Sequence, residues 1–415
     1  MSCSNGVCTA TAKKAVLNVS DMTSMLAVAD LTVDSSTAKN IDIDASIEWS
    51  SASRLALNAK QSITVKKAVT VAGAGAVTLD YNTKDKDGEL LFLGRGRIDF
   101  AHTSNGLTIN GQPYTLESDL ASLAADIASD TSGNFALAND YDAGNEAYDD
   151  APIPSLFGTV EGLGHRISNL NISERVVRNG EVGLLGDLGG VVRDLFVQNI
   201  ELHINKGNFG GAIAGINAGS ILHAKASGDV SGGHQFAGGL VGWNRQQGQI
   251  LKSSANVHVS GATDGGLVGW NIGSIEQSFA CGNVAGGGGL VAVQSDGGII
   301  SNSYASGHII SGFGGLIGSG NVTVTSSYSR GAVDTVTNAG GFAGVVNSNA
   351  VQNAYWDIDT SGQSQGCGSG DCTGIKGLSD AQLKSGLPKG FDPKIWGSDP
   401  TINNGYPYLR NNPPQ

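Results

Sequence analysis

Short apolar runs alternate with polar residues along the first hundred positions. Examples are Ile41-Asp42-Ile43, Leu55-Ala56-Leu57, Ile63-Thr64-Val65, Val77-Thr78-Leu79 and Leu107-Thr108-Ile109. Period-two alternation in runs this short predicts half-buried β-strands separated by turns. From about residue 183 the pattern repeats. The second glycine of a Gly-Gly-apolar-apolar-Gly element falls at Gly211, Gly239, Gly266, Gly289, Gly315 and Gly341, after a degenerate copy at Gly183. Successive spacings are 28, 28, 27, 23, 26 and 26 residues. The best copies read GGLVGWN at 238–244 and 265–271, and a Ser-x-Ala-x-Gly-apolar half follows, as in Ser278–Val284 and Ser303–Ile309.

A unit this short cannot bury an apolar face alone, so copies must stack. The expected fold is all-β: a right-handed parallel β-solenoid in which each strand pairs with its copies in the coils above and below. Leu240, Leu267, Leu290, Leu316 and Phe342 then form one interior ladder. Asn217, Asn244 and Asn271 form another at a stacked turn, where amides satisfy backbone groups. The glycines are expected where the chain turns with positive φ or where coils crowd.

This reading divides the chain into an irregular β-helix over 1–115 and a connector over 116–157. The repeats occupy 158–354 and a capping segment 355–415. The connector holds a helix from an N-cap at Ser118 through Ala128, with Leu120, Leu123 and Ile127 on one face, and the acidic loop Asp140–Asp150. The carboxy-terminal segment gains Pro and Trp, has a short helix after Ser379, and is expected to cover the last coil.

Composition supports the same picture. Glycine is 62 of 415 residues, charged residues are 15% and aromatics 6%, which disfavours helical bundles. A net charge of −12 without basic clusters argues against nucleic acid as a partner. No apolar run is long enough for a transmembrane helix, so membrane insertion is not expected. The opening Met1-Ser2-Cys3-Ser4 lacks the basic and apolar regions of a signal peptide, so on a secreted reading the chain is expected to be a processed or excised piece. Cys3 with Cys8, and Cys367 with Cys372, are each separated by four residues including glycine and are disulfide candidates; free thiols and a shared zinc site are the alternatives.

The repeats resemble the GLUG motif of filamentous-haemagglutinin-type exoproteins of two-partner secretion systems. Leu107–Leu116, Leu120–Ile127 and Phe135–Ala138 are similar to the entry of such regions. Phe157-Gly158-Thr159, Gly162–His165 and Ile167–Leu170 share that context. Tyr355-Trp356-Asp357, Thr360-Ser361-Gly362 and Gly405–Leu409 are similar to its close. The resemblance implies an adhesin or shaft at the bacterial cell surface, exported through an outer-membrane secretion transporter, with a host or biofilm glycan or surface protein as partner. GLUG repeats also accompany a streptococcal immunoglobulin protease as a non-catalytic region; the His-Glu-x-x-His motif of a zinc protease does not occur here.

No catalytic residue, metal site or cofactor is expected. The rival is a β-helix glycan-processing enzyme, a polysaccharide lyase or hydrolase, which needs carboxylates grouped on adjacent coils. Asp187, Asp194, Glu201, Asp229, Asp264, Glu276, Asp296 and Asp334 fall at scattered repeat positions instead. The acidic loop lacks the alternating spacing and fixed Gly of a calcium loop. Cys281 takes a place that Ser227 and Ser306 take elsewhere, which reads as an interchangeable small side chain. Trp243 and Trp270 occupy equivalent positions 27 residues apart and are the candidate ligand-binding pair. With Leu240 inward, simple alternation turns Val241 and Trp243 outward; a bulge at Gly242 buries the rings instead.

Overall fold

The computed structural model describes residues 1–84, 87–175, 180–233, 235–334 and 337–414. Strand occupies 47% of the chain and helix 7%, and the strands wind into a parallel β-solenoid. Two compact units are distinguished: Met1–Tyr141 with Gly158–Arg166 and Arg193–Phe196, and Asp142–Phe157 with Ile167–Val192 and Val197–Gln415.

In the first unit the three coils between Leu31 and Phe100 each contribute one strand to each of three parallel stacks. The first stack runs through Val7–Thr9, Leu31–Asp34, Arg54–Asn58, Ala76–Asp80 and Gly106–Ile109. The second joins Ile41–Ile43, Ile63–Val65 and Leu90–Phe92, and the third Ile47–Trp49, Ala68–Val71 and Arg97–Phe100. Alternation decides which side chains face inward. Leu31, Leu55, Val77 and Leu107 stand in register and are all buried, as are Val33, Leu57, Leu79 and Ile109 two positions on. A helix at Val19–Leu26, which no periodic signal announced, packs Met22 and Leu26 onto the strands Leu31–Asp34 and Ile47–Trp49. The helix in the connector spans Leu120–Ser129 and buries Leu120, Leu123 and Ile127. Its N-cap is Asp119 rather than Ser118, because the Asp119 carboxylate accepts the Ser122 amide at 2.8 Å.

The second unit carries the repeats. Strands Leu185–Leu188, Ala214–Asn217, Val241–Asn244, Val268–Asn271 and Val291–Gln294 stack in register, continue into Ile317–Ser329 and Ala343–Asp357, and end on Cys367–Gly370. Leu240, Leu267, Leu290, Leu316 and Phe342 are fully enclosed, and each of the first four donates its amide to the carbonyl of the next. The Asn217 amide donates to Asn244 and Asn244 to Asn271, both at 2.8 Å inside the stack. A serine ladder parallels it. The hydroxyls of Ser253, Ser278, Ser303 and Ser327 accept the amides of Ala224, Ser253, Ser278 and Ser303 one coil away.

Crowding, not φ, explains the Gly-Gly elements. None of Gly239, Gly266, Gly289 and Gly315 has positive φ, but a Cβ on any of them would lie 2.1 Å from a carbonyl oxygen of the next coil. The carboxy-terminal segment does more than cover the last coil. It runs back along the stack: Tyr355 and Tyr328 donate their hydroxyls to the carbonyls of Lys389 and Pro407, Trp396 donates to Asn302, and Asn412 donates to the Ser253 carbonyl. The helix after Ser379 spans Asp380–Lys384 behind a capping box from Ser379 to Gln382.

Candidate functional site

Trp243 and Trp270 are cross-coil partners in the repeat stack, with Ile216 before them and Val293 after. Their rings stack at 4.9 Å with 9° between planes. The Gly-Gly strands alongside add Phe209, 5.1 Å from Trp243, and Phe236, 5.4 Å from Trp270. The expected alternation is not kept, because Val241 is fully enclosed rather than outward. The strand pairing passes over Gly242, whose Cβ direction is filled by the backbone of Gly210 and Gly215. Both tryptophans end half-buried in a four-ring cluster.

The second face of Trp243 is also taken. The Arg245 guanidinium lies 4.6 Å over it, a cation–π contact. Trp270 donates its indole N–H to Ser295 at 2.9 Å, whereas the Trp243 indole N–H is enclosed without a partner. A sugar docks on a free aromatic face, and Trp243 has none. The geometry is that of packing, and Trp243→Ala is expected to cost about 2 kcal/mol in denaturant unfolding, less than the ~3–5 kcal/mol of a fully enclosed ring. A ring serving only as a ligand platform would leave the midpoint unchanged.

The carboxylates separate into three kinds. Glu201, Asp229, Glu276 and Asp296 are exposed, and Asp187 and Asp334 are half-buried. Asp264 is fully enclosed, accepts the Gly261 amide at 2.7 Å, and is lifted by burial to about 6. Between about pH 4 and 6 the folded chain holds a proton here that the unfolded chain has released, so this group's contribution to stability falls as pH rises through that window. Asp264→Asn is expected to flatten the difference profile between pH 4 and 6 by about 2 kcal/mol. Identical slopes for variant and parent would show that Asp264 is not the source.

One grouping in the first unit has the composition that a lyase needs, and no sequence pattern flagged it. Arg193 lies 2.8 Å from Glu161 and 3.2 Å from Asp194, and donates to the Tyr81 hydroxyl at 2.8 Å. Glu161 is fully enclosed and burial lifts its carboxyl to about 8 despite Arg193. Asp194 is enclosed too, so neither carboxylate offers an oxygen to a polymer outside. Nearby, the enclosed ring of His165 bridges Asp140 at 3.2 Å and the Ile98 carbonyl at 2.8 Å. That hydrogen bond holds the Asp140 carboxyl below its ordinary range, and it ties one end of the acidic loop to the coil.

The remaining candidates sit apart. Cys3 is bridged to Cys8 and Cys367 to Cys372, each across adjoining backbone, and Cys281 is free. Burial pushes the Cys281 thiol up, away from the thiolate that a nucleophile requires. Among the described residues no group of three or more His, Cys, Asp or Glu is placed to hold a metal ion. The acidic loop contains two short strands, Tyr141–Asp142 and Ala147–Tyr148, and the second pairs with Asn171–Ile172.

No family model matches the chain. A stretch of 144 residues is 32% identical to halomucin of Haloquadratum walsbyi; it covers 34% of this chain and 1% of halomucin's length. A solved Bacteroides ovatus protein whose given name proposes an immunoglobulin A1 protease superposes with a TM-score of 0.42 at 18% identity, over 72% of this chain and 93% of that one.

Proposed function

We propose that the chain is a non-catalytic segment of a secreted bacterial surface protein of the filamentous-haemagglutinin type, acting as an adhesive or structural shaft. The observation that carries the reading is the repeat-to-repeat register of the coils, which is held on both sides of a single shift between Gly320 and Asn321. Equivalent residues stand on one another from Leu185 to Gly370, and the conserved chemistry of each coil (glycine, leucine, asparagine, serine) goes into stacking. The local likeness to halomucin is compatible with a place at a cell surface. The GLUG-like repeats support export of the full-length protein through an outer-membrane transporter, and attachment to a glycan or a surface protein.

The test is ligand depletion on a panel of acidic and neutral polysaccharides and host glycoproteins, with product analysis of the same samples. Retention of a polymer or glycoprotein without new chain ends is the expected result. Multiple-turnover release of unsaturated or reducing ends would overturn it in favour of a glycan-processing enzyme.

A further inference from the structure

An enclosed carboxyl group sits where the connector helix of the first unit folds back on its strand. Strand Gln112–Glu117 ends two residues before the Asp119 N-cap, and the helix Leu120–Ser129 packs against that strand. Glu117 is 3% exposed, and among the described residues its Oε1 has no hydrogen-bond partner. An ionised carboxylate is costly in such a place, so enclosure favours the neutral, protonated form. The groups that face Glu117 push the same way. Asp126 and Asp119 bring negative charge from the helix side, where Ser122 offers a hydroxyl. The adjoining strand Asn134–Leu137 presents Leu137 in register with it, which carries no charge.

The helix itself is held mainly by its apolar face. It buries Leu120, Leu123 and Ile127, but its last turn has no basic residue and contains Asp126, against the negative end of the dipole. At 10 residues it is too short to persist in water once undocked. We infer that this helix is a pH-operated cover, closed in acid and released as pH rises toward neutrality, with Glu117 beneath it as the trigger. Release bares Leu120, Leu123 and Ile127. The device is independent of the shaft reading, since it uses none of the repeats. Burial first, then Asp126 and Asp119, lifts the Glu117 carboxyl to about 7 from an ordinary value of 4.5. The closed state's advantage is therefore full below pH 4.5 and is lost as pH rises to about 7.

Hydrogen–deuterium exchange of the full chain, read on peptides from 117–130 and corrected for intrinsic exchange, tests this. The opening constant is expected to rise about tenfold per pH unit from about pH 5 to 7 and to level off above, while peptides from 54–80 stay flat. Glu117→Gln should remove the slope and keep the helix protected in mild alkali. Asp126→Asn, which retains Glu117, should move the levelling-off to lower pH. Opening that is independent of pH in the parent, or an unchanged slope in Glu117→Gln, would overturn the proposal. If Glu117→Gln does not fold, Asp126→Asn decides, and an unmoved levelling-off overturns it.

Discussion

Gly266→Val is expected to lose more than about 3 kcal/mol and to broaden the unfolding transition. The Cβ alone would sit 2.1 Å from the Gly289 carbonyl oxygen and 2.9 Å from the Ala280 methyl, and neither can swing aside. Relief requires the coils to separate there, which breaks the Gly266–Gly288 and Leu267–Leu290 backbone hydrogen bonds. Loss at one interface weakens both neighbours in a stacked repeat, so cooperativity should suffer with stability. Gly94 is the control. It has φ +63 but nothing within 4 Å of its Cβ direction, so Gly94→Ala should cost only the left-handed penalty, about 1 kcal/mol. Chemical denaturation followed by circular dichroism reads both. A Gly266→Val midpoint within error of the parent would mean that coil spacing is not set by these glycines.

That distinction between crowding and φ marks how far the sequence could be read. Periodicity located the stack, its register and its interior ladders, since Leu240, Leu267 and Leu290 recur at a spacing that only stacked coils explain. It could not see contacts between residues far apart in sequence that belong to no repeat. Arg193 with Glu161 and Tyr81 is one case, and His165 with Ile98 another. The tryptophans depart from simple alternation for a local reason. Alternation assumes a regular strand, and Gly242 faces the Gly-Gly backbone of the adjacent strand, so Val241 is enclosed and both rings lie against Phe209 and Phe236. The Val19–Leu26 helix is eight residues long, too short for a 3.6-residue period to stand out. Pro and Trp in the last sixty residues suggested a cover, but not that it returns as far as Ser253.

The returning segment carries the other large effect. Phe279, Tyr304 and Tyr328 form an aromatic ladder at 4.7 and 5.0 Å on successive coils, with Tyr355 next in register. Trp396 closes over it, fully enclosed, 5.9 Å from Tyr328, 6.2 Å from Tyr304 and 4.5 Å from Phe391. Trp396→Ala is expected to cost about 3–5 kcal/mol of the docking of this segment. The coils beneath keep their own backbone hydrogen bonds, so the loss should appear as local opening, not as collapse of the stack. Two measurements separate these. Limited proteolysis should cut the variant after about residue 385 while the main thermal transition moves little. Burial holds the Tyr304 and Tyr328 hydroxyls well above the usual tyrosine range, so spectrophotometric titration should show two more tyrosines ionising near pH 10 in the variant than in the parent. If the main transition falls together with the protease sensitivity, the strap and the repeats are one cooperative unit, and the ladder depends on its cover for stability.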